Sequence, residues 1–236
     1  MSQDGRTTMR ALLRDAAARL LEIGAGNPRL EAEYLLAHAM GIERPILLRR
    51  DPGQAVDPDA QAGLAALLAR RLAREPLQYV LGTVPFGGLD LLIGPGALIP
   101  RGETEVLVEQ VAAALRAGAC QERRRDASPD SQGSPCGGDR APILIDVGTG
   151  SGAIVLALLH RLPGWRGLGI DCSPAALAWA QRNRERAGNR RCHLLRGDLL
   201  SSVRTGVVHA VVSNPPYIRT AEIPGLAPEI LEHEPP

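Results

Sequence analysis

From Thr7 to Glu75 apolar residues recur at three- and four-residue spacing, the period of amphipathic helices. Met9, Leu12, Leu13, Ala16, Leu20 and Leu21 form the first stripe, and Gly24 can end it. Asn27-Pro28 reads as an N-cap with proline at the first helical position. Leu30, Tyr34 and Leu35 are the buried stripe expected behind it, with Gly41 as the stop. Asp57-Pro58 repeats the start signal ahead of Leu64, Leu67, Leu68 and Leu72. Short helices with short links predict a small helical bundle over residues 1–75.

Between Pro76 and Pro100 the pattern is Gly- and Pro-rich with apolar runs between. It predicts a linker over 76–100 carrying a hairpin, in which Pro85 argues against a central strand. Helical spacing returns over Glu103–Arg116 through Val106, Val108, Val111 and Leu115. Residues 118–141 form a polar, low-complexity insert too poor in apolar residues to order itself, and its Arg123-Arg124-Arg125 run reads as solvated loop. From Ile143 four apolar runs, ILIDV, GLGID, CHLLR and VVHAVVS, alternate with helical segments near Ser151–Leu162 and Pro174–Ala187. Apolar strands separated by helices predict an α/β domain over 101–236, with a parallel sheet covered on both faces.

Composition narrows the function. The 236 residues are 44% apolar and only 3% aromatic, so the core is built from Leu, Val, Ile and Ala. The 27 basic residues balance 26 acidic ones, and neither half of the chain carries the basic excess of a general phosphate-backbone binder. Every basic residue is arginine, which excludes a lysine Schiff base and a P-loop lysine. Cys120, Cys136, Cys172 and Cys192 have no close metal-type spacing and the five histidines are scattered, so no metal centre is expected. Cys172 reads as a packed thiol, and Arg182, Arg184, Arg186, Arg190, Arg191 and Arg196 as a solvated face. No apolar run is long enough for a membrane span, and the start MSQDGRTTMR lacks a signal-peptide core. With free thiols, this predicts a cytoplasmic protein without a membrane partner.

Two segments carry chemistry. Asp146-Val-Gly-Thr-Gly-Ser-Gly152 follows a strand and opens a helix, where missing Cβ atoms and free N–H groups admit a ligand to the backbone. The next strand ends in Asp171, which can accept both hydroxyls of a ribose or cap the helix at Pro174. Gly197-Asp198-Leu199 ends the third strand, with Asp198 in reach of an adenine amino group and Leu199 against the ring, or as a turn former and a core residue. Ser213-Asn214-Pro215-Pro216-Tyr217 ends the fourth, where a plain turn is the alternative to a stiff platform. Such a platform suits methyl transfer to a planar nitrogen. The Asn214 Oδ1 and the Pro215 carbonyl can accept from an NH₂ group while Tyr217 packs on its face.

DVGTGSG, the Asp171 strand end and SNPPYI together resemble a class I, S-adenosylmethionine-dependent N-methyltransferase. Glu75-Pro-Leu-Gln-Tyr79, Gly82, Phe86-Gly87 and above all Leu98-Ile-Pro-Arg-Gly-Glu-Thr-Glu105 resemble the peptide chain release factor glutamine methyltransferase family, from about residue 8 to residue 236. The resemblance implies a Rossmann-like class I sheet behind the helical bundle and hairpin linker, with S-adenosyl-L-methionine as cofactor. It implies methylation, at N5, of the glutamine in the Gly-Gly-Gln motif of class 1 release factors. Gly148, Thr149, Gly150, Ser151, Gly152, Asp171, Leu199 and Asn214 then face the cofactor, and Asn214, Pro215, Pro216 and Tyr217 the glutamine. The helical front contacts the release factor, and Arg101–Glu105 helps close the cleft. Gly102 stands where the family has proline, the 118–141 insert is long, and the chain stops after the fourth of seven sheet strands. Ribosomal protein L3 glutamine methylation, which shares NPPY, is one alternative, against which the LIPRGETE segment argues; a sheet truncated after its fourth strand makes non-catalytic release factor binding the other.

Overall fold

The computed structural model describes residues 7–204, apart from 126–140, and residues 206, 208–219 and 221–235; over 119–125 the backbone alone is described. The chain forms two compact units, Met1–Gly82 with Ala227–His233, and Thr83–Leu226 with Glu234–Pro236.

The first unit is helical: α1 (Met9–Glu22), α2 (Pro28–Ala39), α3 (Arg44–Leu47), α4 (Pro58–Leu72) and α5 (Leu77–Leu81). Caps start these helices where the sequence places them. The Thr8 hydroxyl accepts from the Ala11 N–H, Asn27 Oδ1 from Leu30, and Asp57 Oδ1 from Asp59. Leu20, Leu35, Leu36 and Leu47 are fully buried in a common core with Leu64 and Leu68. Two expected core positions are not: Leu21 is exposed, and Tyr34 is exposed beneath the Arg44 guanidinium, 5.4 Å from its ring centre. Ala32 and Glu33 take the buried face of α2 instead, with Glu33 bonded to Arg29 and Arg44. The helix α5 interrupts the expected linker; Tyr79 and Val80 on it are buried, Val80 in the bundle core, in a segment whose Pro and Gly content hid a short helix.

The second unit opens with the antiparallel hairpin β1 (Thr83–Phe86) and β2 (Leu89–Leu92), in which Pro85 faces Asp90. The next helix, α6 (Gly102–Arg125), buries Thr104, Val108 and Ala112 while Val106 is exposed. It runs through Arg116 into the expected insert as far as Arg125; residues 126–140, the rest of that insert except its ends, lie outside the described residues. Then follow β3 (Ile143–Val147), α7 (Ala153–Arg161), β4 (Arg166–Asp171), α8 (Pro174–Arg186), β5 (Cys192–Arg196) and β6 (Ala210–Ser213). All four strands are parallel, in the order β5-β4-β3-β6. That order reverses direction beside β3, the place where open α/β sheets bind ligands. The residues Ala153–Leu159 of α7 are all buried, which explains its uniformly apolar sequence. The strand β6 covers only the end of the apolar run VVHAVVS, and Val211 on it is exposed.

Candidate active site

The site sits at the carboxyl ends of the parallel strands. Val147, the last residue of β3, pairs with Ile170 of β4 and Ser213 of β6, so the glycine turn leaves the sheet between Asp171 and Asn214. Gly148 and Gly150 have φ of +72° and +58°, and a Cβ on either would meet nothing within 4 Å. These two glycines give the turn its shape and leave its outer side open. Gly152 differs: a Cβ there would press on Ala180 and Leu156, so it serves close packing of α7 on α8.

The turn is held from inside. Gly148 and Thr149 donate their N–H groups to the Ile170 carbonyl at 2.8 and 2.9 Å. Gly150 donates to Asp171 Oδ2 at 2.8 Å, and Ser173 to Asp171 Oδ1 at 2.9 Å. Asp171 therefore braces the turn; the cap of α8 is Ser173, whose hydroxyl accepts from Ala176. Each Asp171 oxygen keeps a further lone pair for a ligand hydroxyl.

Beneath the turn lies Asp146, wholly buried. Its Oδ2 accepts from the Thr149 hydroxyl at 2.6 Å and the Val155 N–H at 3.2 Å, while Oδ1 has no partner among the described residues. Burial pushes its carboxyl up from an ordinary 3.8 to about 6, against both hydrogen bonds. The sequence marks Asp146 as the head of the motif but not as a titrating group. A second residue without a sequence signal is Asn183, buried on α8 among arginines. Its amide exchanges hydrogen bonds with the Leu92 backbone at 2.6 and 2.9 Å and donates to the Ser151 carbonyl at 2.9 Å. It thereby fastens the glycine turn to the hairpin.

Asp198 and Leu199 follow β5 at the same sheet edge, and both are exposed. Leu199 has φ +48°, a left-handed backbone that costs a branched aliphatic residue about 1–2 kcal/mol. Neither is a core residue.

Across the turn, the Ser213 hydroxyl donates to the Val147 carbonyl at 2.8 Å, which fixes the start of the NPPY segment. Asn214 is half-buried, and its Nδ2 donates to the Thr104 hydroxyl at 3.2 Å. Pro215, Pro216 and Tyr217 beyond it are exposed, with Tyr217 at 77%. The structure thus brings Gly148–Gly152, Asp171 and Asn214 to one edge, with Asp198 and Leu199 at its β5 end and Pro215–Tyr217 at its β6 end.

The segment LIPRGETE is tied down on both sides of Thr104. Glu105 accepts from the Gly87 N–H at 2.7 Å. Arg101 pairs with buried Glu234 at 2.5 Å, and Glu234 also faces the Ile99 N–H.

Two expectations about the surrounding surface change. Cys172 is exposed rather than packed; it is Cys192 that is buried, with its thiol pushed up to about 12 by burial. The arginine face is only partly solvated. Arg191 donates to the carbonyls of Leu159, Leu162 and Trp165 at the end of α7, and Arg186 pairs with Asp90. Among the described residues no group of three or more His, Cys, Asp or Glu side chains converges as a metal site, and no helix is long and apolar enough to cross a membrane.

Comparison with known proteins finds relatives along nearly the whole chain. Residues 11–82 match the PrmC N-terminal domain family and residues 139–233 the methyltransferase small domain family. The release factor glutamine methyltransferase of Geobacter sulfurreducens is 40% identical over 231 residues, which span 97% of this chain and 72% of that protein. The enzyme of that name from Moorella thermoacetica is 41% identical over 224 residues, 94% of this chain and 71% of its own. Among solved structures, the N-terminal domain of human METTL16 in complex with SAH aligns with a TM-score of 0.38 at 18% identity, over 79% of this chain and 66% of that one. A curated relative at 40% identity, matched across nearly all of this sequence, settles its kinship: the chain belongs to the release factor glutamine methyltransferase family.

Proposed function

We propose that this protein methylates, at N5, the glutamine of the Gly-Gly-Gln motif in class 1 peptide chain release factors, using S-adenosyl-L-methionine. The observation that carries the reading is the placing of Asn214 next to the glycine turn, with its Nδ2 occupied by Thr104 and its Oδ1 without a partner among the described residues.

The residues present fit the cofactor. Gly148 and Gly150 leave an open backbone surface, and Asp171 retains acceptor capacity beside it. When bound there, S-adenosylmethionine supplies an electrophilic methyl on a sulfonium. Asn214 Oδ1 and the Pro215 carbonyl accept the two hydrogens of the glutamine NH₂, and Tyr217 covers the planar face. An amide nitrogen is a poor nucleophile because its lone pair is delocalised, so these contacts act by aiming it along the transfer line. Held beside Gly148, Gly150 and Asp171, the cofactor would give up its methyl and keep the C–S electron pair on sulfur, the proton lost from nitrogen going to water. Asp198 and Leu199 are assigned to the adenine, in keeping with the strained, exposed backbone at Leu199.

The helical unit is assigned to docking. A groove of about 510 Å³ there is lined by Leu13, Leu47 and Leu48, by Arg10, Arg14 and Arg50, and by the Arg29–Glu33 pair. These three guanidiniums make no ion pair among the described residues, which favours an acidic, partly apolar segment of the release factor. The reaction belongs to translation and so to the cytoplasm.

The test is incubation of the protein with radiolabelled S-adenosylmethionine and, separately, a class 1 release factor, ribosomal protein L3 and DNA. Label is expected in the release factor peptide containing Gly-Gly-Gln and absent when that glutamine is replaced by alanine. Label in L3 or DNA alone overturns the substrate. No label, with no calorimetric heat from S-adenosylhomocysteine, overturns the enzymatic reading.

A further inference from the structure

We infer that Thr104 is a positioning residue for methyl transfer, its hydroxyl accepting from Asn214 Nδ2 while the amide oxygen is offered to the substrate. The inference rests on the function proposed above.

A carboxamide has two ends of nearly equal shape and opposite hydrogen-bonding sense. In one orientation Asn214 shows its Oδ1 acceptor to an incoming NH₂ group; flipped by 180°, it shows a donor to a donor. Rotation of one side chain thus separates a productive site from a repelling one. The productive orientation turns Nδ2 inward, where it needs an acceptor, and the Thr104 hydroxyl oxygen lies 3.2 Å from it.

Both partners are anchored. Thr104 is 7% exposed and sits in the first turn of α6, with its own N–H bonded to the Arg101 carbonyl at 3.0 Å. Its neighbours on either side are held through Arg101–Glu234 and Glu105–Gly87. Asn214 follows a serine whose hydroxyl is fixed to the end of β3. The hydroxyl of Thr104 ties α6 to Asn214. Removing its oxygen leaves the inward N–H unpaired in the very orientation that catalysis requires.

The test compares Thr104→Val, Thr104→Ser and Asn214→Ala, alone and combined. Valine keeps the shape and removes the oxygen. We expect Thr104→Val to lower kcat about tenfold, the cost of one buried hydrogen bond. The KM for S-adenosylmethionine and the calorimetric Kd for S-adenosylhomocysteine should stay within about twofold. Thr104→Ser should restore most of the rate, and Thr104→Val should cost nothing further in an Asn214→Ala background. Unchanged kcat in Thr104→Val overturns the inference, as do additive losses in the double variant. Loss of S-adenosylhomocysteine affinity in step with kcat also overturns it, by making Thr104 structural. The substrate reading fails separately: if the wild-type protein labels L3 and not the release factor, the same variants are compared on L3 and Thr104 is still judged.

Discussion

Asp146 shows how one residue can serve the site at a cost to the fold. Its carboxyl is wholly buried, bonded through one oxygen and without a partner at the other among the described residues. The folded state raises its pKa to about 6 from 3.8, so the folded protein binds the proton more tightly than the unfolded chain does. Stability from this group is then full below about pH 4 and is lost as pH rises through about 6. A rise of that size corresponds to about 3 kcal/mol. Urea titrations between pH 4 and 7 should show that loss in the wild-type protein and a flatter profile in Asp146→Asn, which carries no charge to bury. Parallel profiles would remove Asp146 as the titrating group. Gly102 makes the opposite case, a residue below its local optimum. It is the first residue of α6, it is exposed, and a Cβ there meets nothing within 4 Å. Proline fits that helical position, and Gly102→Pro should raise stability by about 0.4–1 kcal/mol, read as a higher Tm.

At the scale of elements, the site depends on ties between segments far apart in sequence. Asn183 of α8 bonds the hairpin 91 residues away and the glycine turn through Ser151. In Asn183→Leu the Leu92 N–H, the Leu92 carbonyl and the Ser151 carbonyl are left unpaired in a buried place. A loss of about 2–4 kcal/mol is expected in urea unfolding, together with weaker calorimetric binding of S-adenosylhomocysteine. Retained affinity in a folded Asn183→Leu protein would separate Asn183 from the turn. These ties also explain which parts were legible in the chain. The glycine turn, Asp171 and SNPPY could be read because their residues are contiguous and their strands carry unbroken apolar runs. Asn183 and Thr104 could not, since their partners lie 91 and 110 residues away and each looks like an ordinary helical polar residue. Periodicity found the bundle helices but not the edge of each buried stripe. Leu21 and Tyr34 satisfy the spacing and still face outward. Arg191 was legible as a charge and not as the guanidinium that closes the end of α7, because three carbonyls from another element define that role.

For the molecule as a whole, charge is nearly cancelled, with 27 arginines against 26 acids. Long-range attraction to a partner must therefore come from local imbalance. The groove of the helical unit supplies one: Arg10, Arg14 and Arg50 line it beside Leu13, Leu47 and Leu48, while Arg29 and Arg44 are spent on Glu33. Reversing two of these charges, Arg10→Glu with Arg14→Glu, should raise the KM for a whole release factor about tenfold at low salt. The difference should shrink as ionic strength rises, because screening weakens exposed charge pairs. A short peptide carrying Gly-Gly-Gln reaches only the acceptor side of the site, so its KM should not change. The two substrates together separate docking from chemistry. If the peptide suffers as much as the intact release factor, the arginines act through the fold, and if neither suffers, the release factor docks elsewhere.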